Sequence, residues 1–113
     1  MIDQMLEQQS IKPSTCELCG RQERLTKHHL IPRTHHRRKL FVKKFSRQQM
    51  ISSILWLCRP CHSHVHASFS ERDLGLQYNT RAALLNVLVI SDFVTWIKDK
   101  PIGFKPKTNR KRW

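Results

Sequence analysis

Leu57-Cys58-Arg59-Pro60-Cys61-His62-Ser63-His64-Val65-His66-Ala67 carries two different metal-ligand patterns in eleven residues. Cys58 and Cys61 form a CxxC knuckle, and His62 and His66 follow it four residues apart. Pro60 suits the first turn of a helix, where a missing N–H leaves no bond unmade. The spacing therefore predicts a helix from about Pro60 to Phe69. On that helix His62 and His66 share one face. His64 is two residues from each, about 200° round the axis and off that face. One helix can thus hold a thiolate site at its start and a histidine site along its side.

The missing half of the thiolate site lies upstream, at Cys16-Glu17-Leu18-Cys19-Gly20. Gly20 fits the tight turn that such a knuckle needs. Cys16, Cys19, Cys58 and Cys61 make CxxC–x38–CxxC. Two-residue spacing lets both sulfurs of a pair reach one ion, and two pairs complete a tetrahedron. A closed four-thiolate site is structural, and Zn2+ is the ion it implies. The competing reading is two independent redox or free-thiol pairs. The Met1–Gln9 stretch carries acid and lacks an apolar core, which argues against a signal peptide. A reducing cytoplasm is then the expected compartment, and there metal binding is favoured over disulfides.

The missing half of the histidine site is His28-His29. Leu25 to Ile31 reads as a short strand ending at Pro32. Adjacent strand residues point to opposite sides, so His28 and His29 are not equivalent ligands. Residues 33–47 read as a basic loop, with Leu40, Phe41, Val42 and Phe45 able to anchor it. Arg33, Arg37, Arg38, Lys39, Lys43, Lys44 and Arg47 would face phosphates. His35 and His36 are assigned to the loop surface, since the metal count closes without them. Ser46-Arg-Gln-Gln49 is a capping box for a helical turn over about 46–51. Ser53 to Cys58 reads as a strand entering the central helix.

The 113 residues make one domain the default. The formal net charge is +13, from 21 Lys+Arg against 8 Asp+Glu, which points to a polyanion such as nucleic acid. Residues 21–50 concentrate that charge, with ten basic side chains and Glu23 as their one acid. The longest apolar run, Val87 to Ile90, is far too short to span a membrane. Residues 1–12 can form a short amphipathic helix ended by Pro13. Beyond Phe69 the chain reads as helical, with Ser70 capping Glu71–Leu74 and Thr80 capping Arg81–Leu85. Val89, Phe93, Trp96 and Ile97 make a packing stripe on a helix that starts near Ser91 or Asp92. Residues 98–113, with seven basic side chains against Asp99, read as a flexible tail that adds phosphate attraction.

His28, His62 and His66 taken as three ligands leave positions open for water and a substrate oxygen, as catalytic metal sites do. Mn2+, Ni2+, Co2+ or Zn2+ suits three imidazoles, and Mg2+ less readily. His29, beside the metal but not on it, can deprotonate water. These residues point to a metal-assisted phosphodiesterase. The alternative is a zinc-stabilised nucleic-acid-binding module without catalysis, which leaves the four histidines unexplained. Cys58-Arg-Pro-Cys61-His62 also matches the CxxCH of haem attachment. Haem is rejected because it requires export and leaves the second CxxC idle.

His28-His29-Leu-Ile-Pro-Arg33, then Leu57-Cys-Arg-Pro-Cys-His62-Ser-His-Val-His66, with Cys16-x-x-Cys19 upstream, resembles the HNH (His-Me finger) endonuclease family, zinc-knuckle type. The resemblance covers about residues 14–69 and implies an α+β fold with a ββα-metal core and structural zinc knuckles, to which the chain adds a helical C-terminal extension. It divides the chain into an N-terminal segment (1–13), a nuclease core (14–69), a helical extension (70–98) and a basic tail (99–113). It implies a DNA endonuclease in which His28 binds the catalytic metal with His62 and His66, and His29 is the general base. DNA is the expected partner, held mainly through phosphates, and a monomer is the expected state. One position departs from the family: its central Asn falls at Ser53, which offers one hydroxyl in place of a paired amide. Ser53 is thereby the third catalytic candidate, expected to pin the catalytic loop less firmly.

Overall fold

The computed structural model of the chain describes residues 12–107. The helix expected over 1–12 and the end of the basic tail lie outside these residues. The described part is α+β, with one two-stranded antiparallel sheet and a set of short helices. Strand β1 is Leu25–His29. A 3-10 turn, Arg33–His35, leads to helix α1, Lys39–Lys44, and helix α2, Arg47–Ser52. Strand β2 is Ile54–Cys58, and helix α3, Arg59–Ser68, follows it without a loop. Helices α4 (Glu71–Gln77), α5 (Arg81–Leu85) and α6 (Leu88–Ile97) complete the order. No helix among the described residues is long and apolar enough to cross a membrane.

The pairing of β1 with β2 sets His28 opposite Leu55 and Thr26 opposite Leu57. Directly opposed residues share a face, so Thr26, His28, Leu55 and Leu57 form one side of the sheet. Leu55, Leu57 and His28 are buried there. On the other face Lys27 lies opposite Trp56, with its Nζ 5.5 Å from the ring centroid. Glu17 extends the sheet edge: its N–H donates to Trp56 O (2.9 Å), and Trp56 N–H donates to its carboxylate (2.7 Å). The first knuckle is tied to β2 in this way before any metal is considered.

Local capping follows the sequence closely. Ser46, Ser70 and Thr80 side chains accept from the N–H groups of Gln49, Asp73 and Ala83, satisfying donors that a helix start leaves open. Helix α3 begins one residue earlier than expected, with Pro60 still in its first turn.

Three expectations need correction. The basic loop 33–47 is largely helical. Phe41 and Phe45, four apart, share the inner face of α1, while Leu40 and Val42 are exposed rather than anchoring. Phe41 joins Ile31 and Met50 in a small second core. Helix α6 starts at Leu88, after Val87, and buries Ile90 and Ile97; of the expected stripe Ile97 is buried and Phe93 packs against the core, whereas Val89 and Trp96 are exposed. Residues 90 and 97 are seven apart and repeat on one face, with Val94 between them in the core. The C-terminal segment is docked over its first part. Arg21 donates from Nη2 to Pro101 O (2.6 Å) and from Nε to Lys100 O (3.2 Å), and pairs with Glu23 (2.9 Å). Gly103 N–H donates to Glu23 (3.3 Å), and Phe104 packs against the main core.

Candidate metal centres

Gly20, at φ +79°, turns the chain so that its N–H donates to Cys16 O (2.9 Å). The N–H groups of Leu18 and Cys19 then point at Cys16 Sγ, at 3.4 and 3.5 Å. Cys58 caps α3 and Cys61 sits in its first turn. The four Sγ atoms lie within 4.8 Å of one another. Cys19 and Cys58 are 3.6 Å apart at sulfur, far beyond a disulfide bond of about 2.05 Å. Tetrahedral Zn–S bonds of about 2.3 Å would set sulfurs about 3.8 Å apart, so the spacing fits zinc. Left to themselves, four clustered thiols, three of them buried, cannot all ionise. Hydrogen bonding with Cys19 first, then Cys58 and Cys61, pulls the Cys16 thiol down, while Cys16 first pushes Cys61 up. A divalent cation allows all four to be thiolates.

The second cluster is His28, His62 and His66, whose nearest ring nitrogens also fall within 4.8 Å of one another. Ring centroids are 5.3 Å apart for His28–His62, 5.2 Å for His28–His66 and 5.0 Å for His62–His66. The rings tilt steeply rather than stacking, with 79° between His28 and His62. His28 is fully buried, and neither of its nitrogens has a hydrogen-bond partner. An orphaned imidazole in a core is unfavourable, and a ligand bond to an ion would satisfy it. Burial first, then His62, His66 and His29, holds the His28 pKa down at about 3. Burial first, then His66, Arg59 and His29, pushes His62 down to about 4. Both are therefore neutral at pH 7, the form that binds metals.

Thr26 fixes the tautomer of His62. Its hydroxyl donates to Leu57 O (3.0 Å) and lies 2.7 Å from His62 Nδ1. A hydroxyl has one proton, so its oxygen accepts from Nδ1–H. The Nε2 lone pair of His62 is left for a metal. Sequence reading passed over Thr26, although period-2 alternation already puts it on the face of His28.

His29 leaves β1 on the opposite face and is half-buried. Burial first, then Arg33, His36 and Lys27, lowers its pKa. His36 is not a simple surface residue: its Nε2–H donates to Ile31 O (2.7 Å), and its ring is 6.4 Å from that of His29. His35 stacks on Phe41 at 5.0 Å. His64 lies off the cluster, donating from Nε2 to Val89 O (2.8 Å) and stacked on Phe93 at 4.0 Å. Its role is to dock α6 on α3.

Ser53 donates its hydroxyl to Gln49 O (2.6 Å), closing α2. Its carbonyl, not its side chain, holds the segment after β1, by accepting from Leu30 N–H (2.9 Å). Arg33, Arg37, Arg38, Lys39, Lys43, Lys44 and Arg47 are all exposed along the 3-10 turn, α1 and the start of α2. None has an ion-pair partner among the described residues.

No family model matches the chain, and no solved structure matches it. A curated relative does: the "Uncharacterized protein YisB" of Bacillus subtilis (strain 168), 32% identical over 102 residues that span 86% of this chain and 90% of the relative. With two potential metal centres on an α+β frame, the chain belongs to the same family as YisB.

Proposed function

We propose that the chain is a metal-dependent DNA endonuclease of the HNH type that hydrolyses phosphodiester bonds. The observation that carries this reading is the convergence of His28, His62 and His66 from a strand and a helix that the cysteine cluster joins. The order β1, β2, α3 is the ββα order of the family that the sequence resembles. A divalent cation at the three imidazoles would supply Lewis-acid stabilisation of the scissile phosphate and its leaving oxygen.

The chain's own residues supply the rest. Thr26 orients the His62 ring, and burial keeps His28 neutral. His29, beside the cluster on the other strand face, takes a proton from water as general base. The exposed cations of residues 33–47 grip the duplex through phosphates. The cysteine centre does no chemistry; it fixes where β2 ends and α3 begins.

The test is plasmid cleavage over a panel of divalent ions after mild chelation. His28→Ala should weaken metal binding at the cluster, so that excess Mn2+ restores part of the cleavage. His29→Ala should keep metal and DNA binding yet cut ~10²–10⁴ more slowly, the usual worth of a positioned base. Extra metal should not rescue it. Calorimetry checks occupancy in both variants. If His29→Ala loses the metal and His28→Ala retains it, the roles are exchanged. DNA binding without cleavage under any ion would leave a non-catalytic zinc-stabilised binding module.

A further inference from the structure

A cleft of about 200 Å³ opens on the side of α3 and is lined by Arg59, whose charge also acts on His62. Its lining includes Arg59, Pro60 and Ser63 from α3, and Phe104, Lys105 and Pro106 from the docked C-terminal segment. At about 100° per residue, Arg59 and Ser63 occupy the strip of α3 directly beside His62 and His66. The far wall is held in place in part by Arg21 and Glu23, which bond to residues 100, 101 and 103, and by the packing of Phe104 on Trp96.

The chemistry of the lining narrows what fits. Pro60, Phe104 and Pro106 offer flat or ring-shaped apolar walls. Phe104 is held edge-on by Trp96, with centroids 5.6 Å apart at 75°, so its ring is not free to turn away. Arg59 and Lys105 are exposed at the mouth and have no ion-pair partner among the described residues. The acid of the lining, Glu23, is already committed to Arg21 and Gly103. A volume of about 200 Å³ is below the ~300–1,000 Å³ of sites for drug-sized ligands. It suits one ring system whose remaining parts stay outside.

We propose that this cleft takes the base of one unpaired nucleotide, packed against Phe104 and the two prolines, with its flanking phosphates on Arg59 and Lys105. Aromatic platforms beside cations bind single strands in this way, without reading sequence. The proposal deepens the nuclease reading and rests on it: the strand that lies on the histidine cluster would place a neighbouring nucleotide here. The substrate class becomes nucleic acid with an unpaired or splayed nucleotide beside the cut.

The test compares a fluorescein-labelled single-stranded oligonucleotide with an abasic strand of equal length, by anisotropy titration of the full chain. Both strands carry the same phosphates. Wild type should bind the intact strand about tenfold more tightly, the scale of one stacked base. Phe104→Leu should abolish that difference while keeping the salt dependence. Arg59→Gln with Lys105→Gln, both at exposed positions, should weaken intact and abasic strands alike. Circular dichroism checks folding, and the double variant decides the matter if Phe104→Leu is unstable. Equal affinity of wild type for the two strands overturns the proposal, as does a double variant that binds like wild type. Running the mixtures on a gel separates the two ideas. Base-dependent binding without cleavage keeps the cleft and sinks the nuclease, whereas cleavage without base dependence does the reverse.

Discussion

Thr26 has one hydroxyl proton and gives it to Leu57 O, which obliges His62 to present Nδ1–H to the same oxygen. The imidazole is thereby held in one tautomer and one orientation, as partners behind metal-ligating histidines generally do. Thr26→Val keeps the shape and the β-branch but removes the acceptor. Affinity of the cluster for Co2+ or Mn2+ should fall by about 10–100-fold, the range known for such outer partners. Thr26→Ser should restore most of it, and the melting temperature should move little, since the position is half-buried. Calorimetric titration reads the effect, and a Thr26→Val chain that binds metal like wild type would show the ring is oriented by other contacts. The three clustered histidines were legible in the sequence as candidates because residue type and spacing bring them together. Thr26 was not, because a threonine acquires this role only through the register that sets it opposite Leu57. His36 was hidden for a similar reason: its bond to Ile31 O depends on the 3-10 turn folding back.

At the scale of elements, α3 is the joint between the two centres. It is capped by Cys58, carries Cys61 in its first turn, and presents His62 immediately after it and His66 one turn later. Structural zinc sites contribute roughly 10–16 kcal/mol, whereas a whole domain is stable by about 5–15 kcal/mol. The first figure matches or exceeds the second, so Cys58→Ala should leave the chain unfolded or molten at 25 °C. The measurements are sulfur-bound zinc per chain and a thermal melt. A variant melting like wild type would remove the structural role from this cluster. The start of α3 was readable from Pro60, and the starts of α4 and α5 from Ser70 and Thr80. Helix α1 was not, since six cations around Phe41 and Phe45 mask a four-residue apolar repeat. Its docking is tight all the same: a Cβ added at Gly75 of α4 would meet Phe41 at 2.5 Å and Pro32 at 3.2 Å. Glycine there allows the close approach that carries the basic segment alongside the core.

Across the whole molecule the charge is uneven in a way the fold preserves. Three acidic groups are drawn into structural bonds: Glu17 to Trp56 N–H, Glu23 to Arg21, Glu71 to Thr34 (2.5 Å). The cations of residues 33–47 are left exposed and unpaired by ion pairs, on helices braced by Phe41. The net +13 is read directly from the composition, but the docking of residues 100–104 was not legible, because Arg21 and Lys100 are 79 residues apart. If exposed cations act on phosphates alone, their loss should weaken every DNA sequence equally. Each lost contact should flatten the slope of log affinity against log salt by roughly one unit. Arg37→Ala with Arg38→Ala removes two such groups flanking the entry to α1, both exposed, so the fold should be unaffected. The slope should therefore fall by roughly two units, with relative affinities for unrelated duplexes unchanged. Base readout would behave differently: sequence preference would shift while the slope stayed put. Titrating two unrelated duplexes over a range of NaCl, for wild type and the double variant, distinguishes these outcomes directly.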